Sequence, residues 1–339
     1  MGIKFLSYII FFSPNLKYLI QMNKSNLHGI ILASIGVLVI SPDTLFMIWG
    51  EMPAFQMVAW RGMLAGLCYL IIWFISRRSF IYLDFKTLFS NWGFTIVSCY
   101  FITTILFCIG ISIAPAPVVL FCVATIPIFA AIFGHKILNE PASKSTWITI
   151  ILVIIGISIA IFGANTQEIN FDILIILGAL CGLGSSLTIS LSYVIIRQKK
   201  ELPFVLPMGI GVFFSGITGL FITGYQNMMT GNILPIIATG IFILPIPMYL
   251  LSYASKFTRA TNVSLILLLE TVLGPLWIWL GTGEKPTYLT LIGGFVVISS
   301  IGIHLIYTEK TQRDERKRLE DSKPKEYNWI NWDDDKEYT

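Results

Sequence analysis

From residue 28 to residue 307 the chain alternates long apolar stretches with short polar breaks. A helix crossing roughly 30 Å of hydrocarbon needs about 20 mostly apolar residues, because each adds about 1.5 Å of rise. On that scale the pattern predicts spans near 28–49, 53–75, 88–109, 113–133, 145–163, 172–196, 203–224, 233–253, 258–281 and 287–307. The expected fold class is therefore all-α integral membrane, with ten transmembrane helices. Proline and glycine within these runs do not count against the assignment, since bundled membrane helices tolerate both.

Composition agrees, with 55% hydrophobic and only 12% charged residues in 339, where a soluble domain carries about a quarter charged. The segment from Glu309 onward holds ten of the nineteen acids and eight of the twenty-three Lys and Arg, which leaves residues 28 to 307 almost uncharged. The net charge of +4 forms no dense basic face, so no nucleic-acid partner is expected. Lys and Arg gather on the cytoplasmic side of membrane proteins. With the N-terminus inside, 21 of the 23 fall in inner segments; only Lys285 lies on an outer loop and Arg61 within a span. A multi-pass protein of the bacterial cytoplasmic (inner) membrane with both termini cytoplasmic is expected.

The first residues are apolar but interrupted by Ser13-Pro14-Asn15 and by Lys4 and Lys17, which does not suit a cleavable signal. Met22 opens a polar lead into the first span and is an alternative start. Cys68, Cys99, Cys108, Cys122 and Cys181 sit in apolar runs with no Cys-x-x-Cys pair or neighbouring His, so they read as small core residues, and no metal site or cofactor is expected.

The chain also repeats itself. Ala116 through Pro127 to Asn139-Glu140-Pro141 has a counterpart 144 residues on, in Ala260 through Thr271 to Gly283-Glu284-Lys285-Pro286. Gly156-Ile157 then matches Gly302-Ile303, Pro53 matches Pro203 and Gly66 matches Gly216, with the offset drifting between 144 and 150. Five spans per repeat is an odd number, so the second half must be inverted relative to the first, the plan of secondary transporters with a midplane site between halves. Chance alignment of aliphatic positions is the alternative; the paired acids Glu140 and Glu284 weigh against it. The expected organisation is a lead over 1–27, five-helix repeats over 28–163 and 172–307, and a charged cytoplasmic tail over 308–339.

The span count, the doubled unit, Asn139-Glu140-Pro141, Leu269-Glu270-Thr271 through Gly274-Pro275 to Gly283-Glu284, and the step Trp60-Arg61-Gly62 together resemble the drug/metabolite transporter (DMT) superfamily, EamA type. The resemblance covers residues 25 to 307 and implies an exporter or exchanger of a small metabolite such as an amino acid, driven by an ion gradient or by the substrate gradient. Thr271 stands where the family often has proline, and the charged tail is long; neither departure names a substrate.

Ionisable side chains within spans are costly and so are candidates for function. Asp43 and Arg61 fall at similar depth on consecutive antiparallel spans and are expected to pair, either as a structural ion pair or with Arg61 presenting its donor fork to a substrate carboxylate. Glu270 is close to midway along the ninth span with no cation on that helix within a turn. A titratable carboxyl group there is what proton coupling requires; hydrogen bonding to Ser, Thr or backbone groups is the alternative. Glu140 and Glu284 follow the fourth and ninth spans and read as helix-end acids. Gly62 with Gly66 and Gly178 with Gly182 permit close helix approach, for packing within the bundle or, as an open alternative, a homodimer. Trp49, Trp60, Trp92, Trp147, Trp277 and Trp279 are expected toward the membrane interfaces. Helix breaks are expected at Pro115 and Pro117, Pro245 and Pro247, and Pro275. The basic opening of the tail suits anionic lipid, and the rest reads as solvated.

No Gly-x-x-x-x-Gly-Lys-Ser/Thr loop occurs, which argues against a nucleotide-driven pump, and neither His-Glu-x-x-His nor Gly-x-Ser-x-Gly is present to support an intramembrane enzyme. The expected function is secondary transport by alternating access, with proton coupling; a passive channel or a lipid flippase is the alternative.

Overall fold

The computed structural model describes residues 26–114, 116–164, 173–283 and 287–321. Every regular element among them is helical. The first span is two helices, α1 (Asn26–Ile40) and α2 (Asp43–Gly50), and the second is α3 (Ala54–Arg77). A short helix, α4 (Ile81–Leu88), leads to the third span, α5 (Asn91–Ile113). The fourth is again two helices, α6 (Ala116–Val123) and α7 (Ile126–Leu138), and α8 (Lys144–Ala164) closes the first half.

The second half contains α9 (Ile173–Gln198), α10 (Val205–Thr223), α11 (Ile233–Ala238), α12 (Pro245–Ala254), α13 (Ala260–Leu267), α14 (Leu269–Thr282) and α15 (Tyr288–Asp321). Among the described residues nine helical segments are long and apolar enough to cross a membrane. The fifth expected span appears as an apolar stretch over Lys144–Ile159, within α8. The lead over residues 1–25, Met22 included, and the acidic end of the tail lie outside the described residues.

The halves exchange places in the packing. The third span α5 lies on the sixth, α9, and its equivalent in the eighth, α12, lies on α1. The fourth span packs on α9 through α6 and α7, while α13 and α14 of the ninth pack on the first. The second and seventh spans pair with each other, as do α8 and α15. These last two pairs are antiparallel. Gly219 faces Ala59, Gly216 faces Gly62 and Gly209 faces Tyr69, and Ser145 meets His304 while Gly156 meets Gly293 and Val297. Equivalent helices therefore run in opposite directions, and the two halves are inverted.

The α3–α10 crossing is the closest of these contacts. A Cβ on Gly62 would stand 2.6 Å from the Gly216 nitrogen, and one on Gly216 only 2.3 Å from that of Met63. In lipid, where no hydrophobic force draws helices together, such backbone approach provides the dispersion contact that holds the pair. Gly178 and Gly182 serve the same purpose inside the chain, against Ala114 and against Cys122 and Val119.

Four spans are interrupted. The first turns at Ser41-Pro42, where proline removes a donor, and the fourth at Ala124-Thr125 ahead of Pro127. The eighth contains a π-turn over Thr239–Ile243, closed by Leu244 N to Thr239 O at 2.9 Å, before Pro245. The ninth breaks at Leu268, whose N–H is shared between the carbonyls of Ser264 at 3.3 Å and Leu265 at 3.2 Å. The break expected at Pro275 is thus earlier in the chain, while Pro275 itself lies inside the helical run of α14. Ala124 and Leu268 are 144 positions apart, the offset of the repeat.

Candidate functional site

The interrupted spans converge. Ile40 and Asp43 flank the first break, Val123 and Ile126 the fourth, Leu244 follows the eighth, and Leu267, Leu268, Glu270 and Thr271 surround the ninth, and all line one cavity. Walls from α3, α5, α9 and α10 complete it, and α8 and α15 contribute nothing to its lining among the described residues. Its volume of about 120 Å³ far exceeds the ~10–15 Å³ that holds a single water. Most of the wall is aliphatic or aromatic.

The breaks satisfy their own freed groups. The Cys122 carbonyl accepts from Thr125 Oγ1 at 2.6 Å and from Ser186 Oγ of α9 at 2.8 Å, and Thr271 Oγ1 donates to the Leu268 carbonyl at 2.7 Å. At the first break Ser41 Oγ donates to Leu38 O and accepts from Trp277 Nε1 at 2.8 Å, fastening the ninth span to the first.

The same economy runs round the cavity. Tyr69 donates to Leu244 O at 3.2 Å, Tyr100 shares a hydrogen bond with Ser252 at 2.6 Å, and Thr103 with Thr188 at 2.6 Å. Thr104 donates to Tyr100 O and Ser185 to Cys181 O. Every hydroxyl of the lining is therefore engaged within the protein.

The charged groups are engaged only in part. Asp43, in the first turn of α2, and Arg61, two turns into α3, meet through Oδ2 and Nη2 at 2.7 Å, with side-chain exposures of 5% and 4%. The contact is single, not the two-pronged arrangement a guanidinium and a carboxylate can form. Asp43 Oδ1 and Arg61 Nη1 are buried and have no hydrogen-bond partner among the described residues. Glu270 opens α14 immediately after the ninth break, lines the cavity, and feels the charges of Asp43 and Arg61. It makes no ion pair with the described residues. Asp43, Arg61 and Glu270 thus share one cavity, whereas Glu140 does not.

Glu140 belongs to the end of the bundle where Lys and Arg collect. Arg197 at the end of α9 holds both its oxygens, at 2.8 to 3.2 Å, and donates from Nη1 to Thr258 O at 3.0 Å. One guanidinium so joins the loop after the fourth span to the loop before the ninth. Glu284, the expected counterpart, lies outside the described residues. Nearby, Lys256 donates to the carbonyls of Lys200 and Leu202 and rests 5.1 Å over the Phe204 ring.

Several ties were not expected from the sequence. Arg77 binds Asp84 with two contacts, at 2.6 and 2.8 Å, and Trp73 adds a third at 2.8 Å, fixing α4 against α3. Trp60 donates to Met228 O at 2.9 Å, so it and Trp277 act as specific hydrogen-bond donors between halves. Pro42 directly before Asp43 is a sequence signal for the first break. Among the described residues no group of three His, Cys, Asp or Glu could hold a metal ion.

Two inverted halves about one mostly apolar cavity define a multi-pass membrane protein on the plan of secondary transporters. The chain belongs to the EamA-like transporter family, whose pattern matches residues 27–162 and again 176–307. It is 28% identical over 209 residues to the uncharacterized transporter YdfC of Bacillus subtilis, a match covering 58% of this chain and 65% of that protein. An uncharacterized transporter of Clostridium kluyveri is 28% identical over 203 residues, with 58% and 65% covered. The chain thus matches about two thirds of the length of these relatives. One solved crystal structure superposes with a TM-score of 0.67 over 84% of this chain and 98% of that one; at 14% identity the likeness shows the fold alone.

Proposed function

We propose that this chain is a secondary transporter that carries a small metabolite, such as an amino acid, as an exporter or exchanger working by alternating access. The observation that carries the reading is the convergence of four interrupted spans, two from each half, on one cavity between the halves. An interrupted helix can bend at its break without losing the rest of its hydrogen bonds, so rocking of the halves can open the cavity to either face. The names of the bacterial relatives support the same reading.

Proton coupling is assigned to Glu270, the carboxyl group of the cavity that has no basic partner in contact among the described residues. The orientation follows from charge. Arg77, Lys136, Lys144, Arg197, Lys199, Lys200, Lys256 and Arg259 all belong to one end of the bundle, and that end faces the cytoplasm of a bacterial inner membrane.

Counterflow in proteoliposomes tests the reading. Vesicles loaded with an unlabelled amino acid at millimolar concentration should transiently concentrate the labelled one, and the effect should saturate. Flux that never saturates and never overshoots supports a passive channel, and phospholipid movement between leaflets without solute counterflow supports a flippase.

A further inference from the structure

We propose that the cavity selects a small organic cation, a primary or secondary ammonium group on an apolar body, seated against Glu270. The inference rests on the reading of this cavity as the transport site and names the chemistry of its occupant.

The charge inventory points one way. Asp43 and Arg61 neutralise each other at 2.7 Å, which leaves Glu270 as the one cavity carboxyl group without a contacting cation among the described residues. The tyrosines and Cys108 that complete the titratable lining are neutral in their ordinary state. A ligand cation would supply that partner and favour the ionised carboxylate. A ligand carboxylate would lie beside the Glu270 carboxyl group in a largely apolar space, which disfavours ionisation of at least one of them.

Hydrogen-bond capacity leads to the same answer. An ammonium group has up to three donors and no acceptor. The two Glu270 oxygens supply acceptors at the cavity wall. On the donor side Arg61 Nη2 is engaged by Asp43 and Nη1 is buried out of reach of a water molecule, so neither is presented to a ligand. A sugar or polyol would need many exchangeable partners, and the wall hydroxyls already bond within the protein. The remaining surface, with Phe107, Leu120 and Met248, suits an aliphatic or aromatic body.

Three probes with one phenylalkyl body and different charge provide the test: phenethylamine, phenylalanine and 3-phenylpropionate, titrated calorimetrically into the full chain in lipid nanodiscs at neutral pH. Phenethylamine should bind at least tenfold tighter than 3-phenylpropionate, and Glu270→Gln should weaken it at least tenfold. Equal or tighter binding of the carboxylate, retention of amine affinity in the Gln variant, or binding of none of the three would overturn the assignment. The probe series on the parent protein needs no variant to fold. Ala65→Trp, which fills the cavity from α3, separates the two claims. If phenylalanine or 3-phenylpropionate binds best and Ala65→Trp removes it, the transport cavity stands and the ammonium assignment falls. If Ala65→Trp leaves the preferred probe unaffected, binding lies elsewhere and both fall.

Discussion

Asp43 and Arg61 are held together by one hydrogen bond of 2.7 Å in a place where neither reaches water, and each keeps a second polar atom buried without a hydrogen-bond partner among the described residues. The pair is thus both a brace between the first two spans and part of the lining.

Breaking it from one side should be worse than removing it whole. Arg61→Ala leaves a buried carboxylate without its partner, a loss of about 3–5 kcal/mol for such pairs, whereas the double replacement with Asp43→Ala leaves no charge behind. Unfolding of the purified single and double variants in detergent should show the double variant as the more stable one. Additive losses across the cycle would argue against the pair.

The α3–α10 crossing should tolerate no added side chain. Gly216→Leu places a Cβ where the Met63 nitrogen stands 2.3 Å away, so the helices must part. A loss of at least ~1–3 kcal/mol is expected, the range for overfilled cores. Gly274→Leu is the control, at a glycine whose added Cβ would meet nothing within 4 Å among the described residues. Equal thermal stability of the two variants would contradict the packing described.

Lys256 provides a pH dependence outside the spans. Burial pushes its amine down to about 8, against an opposing pull from Glu201 and with a smaller push from Arg77. The unfolded chain then binds this proton more tightly than the folded one, so the site's contribution to stability is lowest below pH 8 and rises between 8 and the ordinary lysine value near 10.5. Lys256→Met should therefore raise the unfolding temperature more at pH 7 than at pH 10. A larger gain at pH 10 would reverse the sign and refute the account.

Sidedness is open to labelling. Single cysteines at positions 51, 168 and 227 should react with an impermeant maleimide from outside intact cells, and one at position 199 only after permeabilisation. Labelling at 199 in intact cells would turn the bundle over.

Much of this architecture is legible in the sequence. Span lengths follow from hydropathy, and the inverted repeat from Glu140 and the 144-residue offset, because helix length and periodicity are local properties. Asp43 and Arg61 can be paired because both interrupt apolar runs at matching depth. The Leu268 break is hidden, since no proline or glycine occupies it and it depends on a shared N–H between two carbonyls. Arg197 as the partner of Glu140 is equally hidden, being 57 positions away on a neighbouring helix. Trp60 and Trp277 read as interfacial aromatics until their acceptors, Met228 O and Ser41 Oγ, are placed beside them.

Glu270 carries the central claim, and transport under an imposed pH gradient tests it most directly. A carboxyl group at the meeting point of the halves can load a proton from one face and release it to the other, and Glu270→Gln keeps the shape while removing the titration. Parent protein in proteoliposomes should accumulate labelled substrate in response to the gradient. The Gln variant should retain counterflow but lose that response. Parent transport that ignores the gradient, or a Gln variant with full proton-driven accumulation, would contradict the account.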